Sequence, residues 1–227
     1  MSEQKTQIKL KNEIYPRIHF GLIGPAKSGK LSLMERISRN KFSPNSYQIF
    51  GRNLTLVKID VNNEKFEILF LNESSAYARF DDFILINFVN ICDYGILVYD
   101  ITQDSDCNFN YLNKMVVAVS EMKKKKGKKQ PIYFMLGTKL DREKERKTKT
   151  EDARKFCKEK EFIFIGETSS YNMDKKVLIK FFEKMVSMLN KNELEMIKKH
   201  HFEFLKRKAK EDECDCYKCF KGLCITF

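Results

Sequence analysis

No apolar run in this 227-residue chain is long enough to cross a bilayer. The longest candidate, Phe83 to Val98, is interrupted by Asn87, Asn90, Asp93 and Gly95. No secretory leader is expected either, because Met1 to Asn12 is polar and charged. These absences predict a chain made and folded in the cytosol, where structural disulfides are rare. The seven cysteines are therefore read for placement. Cys92, Cys107 and Cys157 are scattered, whereas Cys214, Cys216, Cys219 and Cys224 crowd the far end. Glycine is scarce as well. There are nine, and three of them are Gly21, Gly24 and Gly29, which marks that stretch. No internal repeat is present, and low complexity is confined to lysine blocks.

What is present is enough apolar material, 42% of residues, for one sizeable core. The length favours one domain and a tail. The formal net charge of +12 points to anionic partners: nucleotide, nucleic acid or a membrane leaflet. The charge is concentrated in Lys123 to Lys129 and in Lys198 to Lys210. The first block reads best as a solvated face or loop. Neither block has the aromatic interleaving or the module of a nucleic-acid binder, so that class is disfavoured.

Hydrophobic periodicity predicts strands at Arg17 to Ile23, Asn53 to Val61, Lys65 to Leu71, Tyr94 to Tyr99, Ile132 to Leu136 and Glu161 to Ile165. Asn62-Asn63 suits a hairpin turn between the second and third. Helices are expected at Leu31 to Ile37, Asp82 to Ile91 and Tyr111 to Met122, from Thr150, and from a cap at Asp174 to Leu189. Apolar strands alternating with helices argue an α/β fold, a mostly parallel sheet covered on both faces. Ligands of such sheets bind at the carboxyl ends of the strands.

Gly24-Pro25-Ala26-Lys27-Ser28-Gly29-Lys30 lies between a predicted strand and a predicted helix, and fits the phosphate-loop pattern. Glycine lets successive N–H groups curl inward on phosphate oxygens, and the following helix adds its dipole. Lys30 supplies a point charge. The pattern then asks for Ser or Thr to ligate magnesium, and here stands Leu31. Ser32 is one step later, turned by about 100°.

Gly137-Thr138-Lys139-Leu140-Asp141 follows the Ile132 strand, and Glu167-Thr168-Ser169-Ser170 follows the last one. With these segments and Tyr94-Gly-Ile-Leu-Val-Tyr-Asp-Ile-Thr102, the chain resembles a Ras-superfamily small GTPase of the Rab type over about Arg17 to Leu189. The resemblance implies a phosphate-loop small G-domain with a six-stranded sheet, one antiparallel edge strand and helices on both faces. It also implies that GTP or GDP is bound. Phosphates would meet Gly24 to Ser32. The base would meet Thr138, Lys139, Asp141, Ser169 and Ser170. An aspartate can accept two hydrogen bonds from the guanine edge, a contact adenine cannot make. Tyr171 stands where the family often has lysine.

Three departures concern the metal. Leu31 replaces the hydroxyl, Ile49 stands at the first-switch threonine, and Asn72 replaces the second-switch aspartate. Nothing from Asn72 to Phe80 is Gly or Gln, so the water-orienting glutamine is absent. Magnesium takes few protein ligands and neutralises charge during phosphoryl transfer. The resemblance thus predicts guanine-nucleotide binding with magnesium in doubt, no catalytic residue and little or no hydrolysis. Lys27 adds a charge that partly offsets a missing cation.

The chain ends Cys224-Ile-Thr-Phe227, which fits a prenylation signal leaning to geranylgeranyl. One lipid anchors marginally, so a second signal is needed. Cys214, Cys216 and Cys219 offer palmitoylation, and the basic stretch to Lys210 offers charge. The alternative is a four-thiolate zinc site. Leu194, Ile197, His201 and Phe204-Leu205 make a helical apolar stripe, which either extends the last helix or meets a membrane or partner. The predicted organisation is an extension 1–16, a domain 17–190 and a tail 191–227. Two functions fit: a membrane-attached nucleotide binder in vesicle traffic with effector proteins, or a prenylated adaptor that needs no nucleotide.

Overall fold

The computed structural model describes residues 15–42, 54–72 and 89–212. Ile49, most of the second switch, most of the Asp82 to Ile91 helix and the four tail cysteines lie outside the described residues.

Six strands form one sheet in the order β2-β3-β1-β4-β5-β6. They are β1 Arg17–Ile23, β2 Leu54–Val61, β3 Glu64–Asn72, β4 Tyr94–Asp100, β5 Ile132–Thr138 and β6 Ile163–Glu167. Five run parallel, and β2 pairs antiparallel with β3 at the edge. Asn62 and Asn63 both adopt left-handed backbone, φ 54° and 63°. That twist matches a two-residue hairpin, and Asn tolerates it.

Helices α1 Lys30–Arg39, α2 Ser105–Lys125, α3 Thr150–Lys160, α4 Lys175–Ser187 and α5 Lys191–Asp212 surround the sheet. Alternation along β4 shows why its sequence is continuously apolar. Tyr94, Ile96 and Val98 enter one core with Phe20, Phe134 and Phe182. Leu97 and Tyr99 enter the other with Leu112, Val119 and Ala153. A strand buried on both faces has no position for a solvated side chain.

The elements match their expectations in type and differ at their ends. Helix α2 starts six residues before the expected Tyr111. Asp104 takes the N-cap position, and Asp106 lies in the first turn. Its last turn is Lys123, Lys124 and Lys125, which suits the negative end of the dipole. Strand β6 starts two residues late, because Glu161 is the left-handed C-cap of α3.

The apolar stripe does not extend the preceding helix. Helix α4 stops at Ser187, and Asn190 opens α5. Asn190 Oδ1 accepts from Glu193 N at 2.9 Å, and Glu193 Oε2 accepts from Asn190 N at 3.1 Å. This reciprocal cap starts a new helix. Leu194 and Ile197 then pack against the core. The expected tail therefore begins as structure fastened to the domain.

Candidate functional site

Strand β1 ends at Ile23, and the loop Gly24 to Gly29 carries the chain into α1. A Cβ on Gly24 would stand 2.3 Å from the Val98 carbonyl oxygen, so only glycine lets the loop cross β4. Gly29 has φ +89°, which L side chains rarely adopt. Lys27 also takes the left-handed region, at φ 62°, and is exposed. Pro25 is half-buried and Ala26 exposed, while Ser28 is buried. The loop is a tight concave turn opening onto a helix N-terminus, the geometry that presents N–H groups to an anion.

Lys30 is buried, with its ammonium donating to the Gly24 and Pro25 carbonyls at 2.5 and 2.9 Å and lying 3.4 Å from Ser28 Oγ. The cation is thus held at the mouth of the loop. Leu31 lines a groove between α1 and β2 together with Met34, Glu35, Thr55 and Leu56. Ser32 is half-buried on the first turn of α1. An aliphatic side chain offers a hard cation no oxygen, so position 31 does not fit a magnesium ligand. Asn72 is the last residue of β3.

The second segment leaves the end of β5. Thr138 is buried, its Oγ1 2.6 Å from the Ser28 carbonyl oxygen and 2.9 Å from that of Tyr99. One hydroxyl thereby ties the phosphate-type loop to two strands. Lys139 turns through left-handed backbone, φ 63°, and its ammonium pairs with Asp100 Oδ2 at 2.5 Å. Asp100 is buried, and its other oxygen accepts from Thr102 N and Oγ1 at 2.9 and 2.8 Å. The stem of Lys139 is therefore pinned at its tip. A short 3-10 helix, Leu140–Glu145, follows and presents Asp141.

The third segment leaves β6. Thr168 N donates to the Gly137 carbonyl at 2.9 Å, and Leu140 N donates to the Thr168 carbonyl at 3.0 Å, so the two segments are laced together. Ser169 is buried and its hydroxyl donates to Asp141 Oδ1. Ser169 Oγ in turn accepts from Tyr171 N at 3.0 Å and Asn172 N at 3.3 Å. Asp141 is thus oriented by a serine that the backbone itself holds. Ser170, also buried, contributes its carbonyl to Arg36 Nε at 2.7 Å.

Three supports were missed by sequence reasoning. Arg36 on α1 also donates to the Tyr171 carbonyl at 2.7 Å, clamping the last loop to the helix behind the first. The ring of Phe42 meets Tyr171 edge-on, with centroids 5.3 Å apart. Glu167 receives Arg146 through two nitrogens at 2.9 and 2.7 Å, with Tyr99 Oη at 2.6 Å and Thr150 Oγ1 at 3.1 Å. Burial pushes Glu167 up, but Arg146 and Tyr99 outweigh it and hold the carboxyl below its ordinary value. Tyr99 is pushed up, first by burial and then by Glu167. These partners lie far apart in sequence, so no local spacing announced them.

All three segments emerge at the carboxyl edge of the sheet, after β1, β5 and β6. Among the described residues no helix is long and apolar enough to cross a membrane. The sequence profile of the Ras family matches residues 19–191. GTP-binding protein ypt4 of Schizosaccharomyces pombe is 25% identical over 153 residues, 66% of this chain and 62% of that protein. The match thus spans less than two thirds of that relative. Together with the sheet order and the joined loops, these findings show that the chain belongs to the Ras family, with a likeness to its Rab type.

Proposed function

We propose that this protein is a Rab-like small GTP-binding protein, attached to membranes by a lipidated tail and working in vesicle traffic, with little or no GTP hydrolysis of its own. Domain 17–190, with the first turns of α5 packed on it, is the nucleotide module, and the rest of 191–227 is the attachment segment. The observation that carries the reading is the pairing of Asp141 with Ser169 beside a loop that Thr138 ties to the same edge. A carboxylate held that way accepts the paired donors of guanine. Lys30 and the loop N–H groups take the phosphates, and Phe42 and Tyr171 flank the base end.

Magnesium is not a fitted ligand in this reading. Leu31 faces a groove instead of offering an oxygen, and Ile49 and Asn72 replace two more oxygens that the family uses. Hydrolysis also lacks a water-orienting glutamine. The relative's name, GTP-binding protein, supports nucleotide binding. Cys224 is the prenyl acceptor, with Cys214, Cys216 and Cys219 as further acyl sites on the cytosolic leaflet.

Titrating GDP and GTP with and without magnesium tests the proposal. Binding of guanine but not adenine nucleotides, with little dependence on magnesium, is expected. A turnover like that of ordinary small GTPases would sink the hydrolysis claim. The second reading, a nucleotide-independent prenylated adaptor, is favoured by the aliphatic Leu31. No binding at high micromolar nucleotide would select it.

A further inference from the structure

Two peptide groups of the last loop are held from both sides. The first joins Ser170 to Tyr171, and the second joins Tyr171 to Asn172. Their carbonyls face α1. Arg36 Nε donates to the Ser170 carbonyl at 2.7 Å, and Arg36 Nη2 donates to the Tyr171 carbonyl at 2.7 Å. Their N–H groups face the other way. Tyr171 N and Asn172 N donate to Ser169 Oγ at 3.0 and 3.3 Å. A trans peptide is planar, so fixing its carbonyl fixes the direction of its N–H. The guanidinium therefore aims both donors that Ser169 receives.

A hydroxyl carries two lone pairs and one proton. The two N–H groups take both lone pairs of Ser169 Oγ, which leaves its proton for Asp141 Oδ1. The setting of the Asp141 carboxylate thus follows from the two peptide planes. A cation on a carbonyl also polarises the peptide and strengthens its N–H as a donor. The third nitrogen of Arg36, Nη1, donates at 3.2 Å to the carbonyl of Asn40, the left-handed C-cap of α1. With all three nitrogens engaged, the fork cannot swing without losing the loop. A lysine offers one nitrogen and no fork. Helix α1 begins at Lys30, so one rigid element bears the phosphate cation and aims the base loop.

We infer that Arg36 is a positioning residue for base selection. Through two peptide planes and Ser169 it sets the carboxylate with which Asp141 tells guanine from other purines. The inference rests on the guanine-nucleotide reading above, and it assigns selectivity to a residue outside the three loops. A packing role alone would weaken every nucleotide alike.

The full chain, freed of nucleotide, is titrated with GDP and with IDP, whose hypoxanthine base lacks the exocyclic amine of guanine. The unsubstituted chain should prefer GDP. Arg36→Lys keeps the charge but not the fork. It should cut the preference for GDP by on the order of tenfold and leave IDP affinity close to its starting value. Lys175→Met is the control. It removes the 3.2 Å bond from Lys175 Nζ to the Ser38 carbonyl, which ties the same end of α1 to α4 without touching the loop peptides. The GDP-to-IDP ratio should survive it, whatever happens to Tm. Amide exchange in the nucleotide-free chain gives a second readout. R36K should speed it at Tyr171 and Asn172, and K175M should not. If the unsubstituted chain prefers GDP, three results overturn the role of Arg36 and spare guanine binding: R36K keeps the full preference, R36K weakens GDP and IDP equally, or exchange at both amides is unchanged. An unsubstituted chain that binds GDP no better than IDP overturns the guanine reading, and this inference with it.

Discussion

Single side chains set the site's chemistry, and two of them make opposite demands. Thr138 holds two carbonyls with one hydroxyl. Thr138→Val leaves the Ser28 and Tyr99 oxygens without it, at a cost of about 1–3 kcal/mol. Thermal unfolding should register that loss, and guanine affinity should fall with it. Leu31 works the other way. Leu31→Ser places a hydroxyl after Lys30 and should make nucleotide binding respond to magnesium by on the order of tenfold, read by titration with and without the ion. If the substitution changes nothing, position 31 is not where the metal was lost. Glu167 supplies a pH test. Its folded pKa is depressed, so it adds stability above its unfolded value of about 4.3, which is lost as pH falls through the folded value. Glu167→Gln should therefore flatten the acid limb of a Tm-against-pH curve.

The helices and strands divide into those that local rules foretell and those that only packing decides. Strand β4 was legible because the unbroken apolar run Tyr94 to Tyr99 suits a sheet centre, and the structure buries it whole. Helix α4 was legible at its start, where Asp174 accepts from Lys176 N at 2.7 Å. Its end was not, since the apolar period runs on through Leu189 into the next helix. The break shows only in the Asn190–Glu193 exchange, which looks in sequence like any polar pair. Asn190→Ala should cost α5 about 1 kcal/mol and loosen its first turns, seen as faster amide exchange from Leu194 to Lys198. The site was legible where contacts are short-range: loop 24–30, the Thr138 segment, the Ser169 pair. Arg36, 134 residues from Ser170, left no trace. An arginine on a helix face is ordinary until the fold shows what stands opposite.

At the scale of the whole molecule, the cysteines among the described residues separate by depth. Cys92 and Cys157 are buried, and burial pushes both thiols up to about 12. Cys107 is exposed. At pH 8 an alkylating reagent should mark Cys107 in the folded chain, and Cys92 and Cys157 only after unfolding, as peptide mapping will show. The polarity of the sheet has a further consequence. The candidate nucleotide loops leave its carboxyl edge, while α5 meets the edge where β1 and β3 begin. A seven-residue strand separates those edges by about 23 Å. Salt at physiological strength extinguishes the field between exposed charges beyond about 8 Å. Phosphates bound at the carboxyl edge, on the proposed reading, would be electrically isolated from the charges of α5 at the opposite edge. Any message passing between them has to travel as movement of the chain itself.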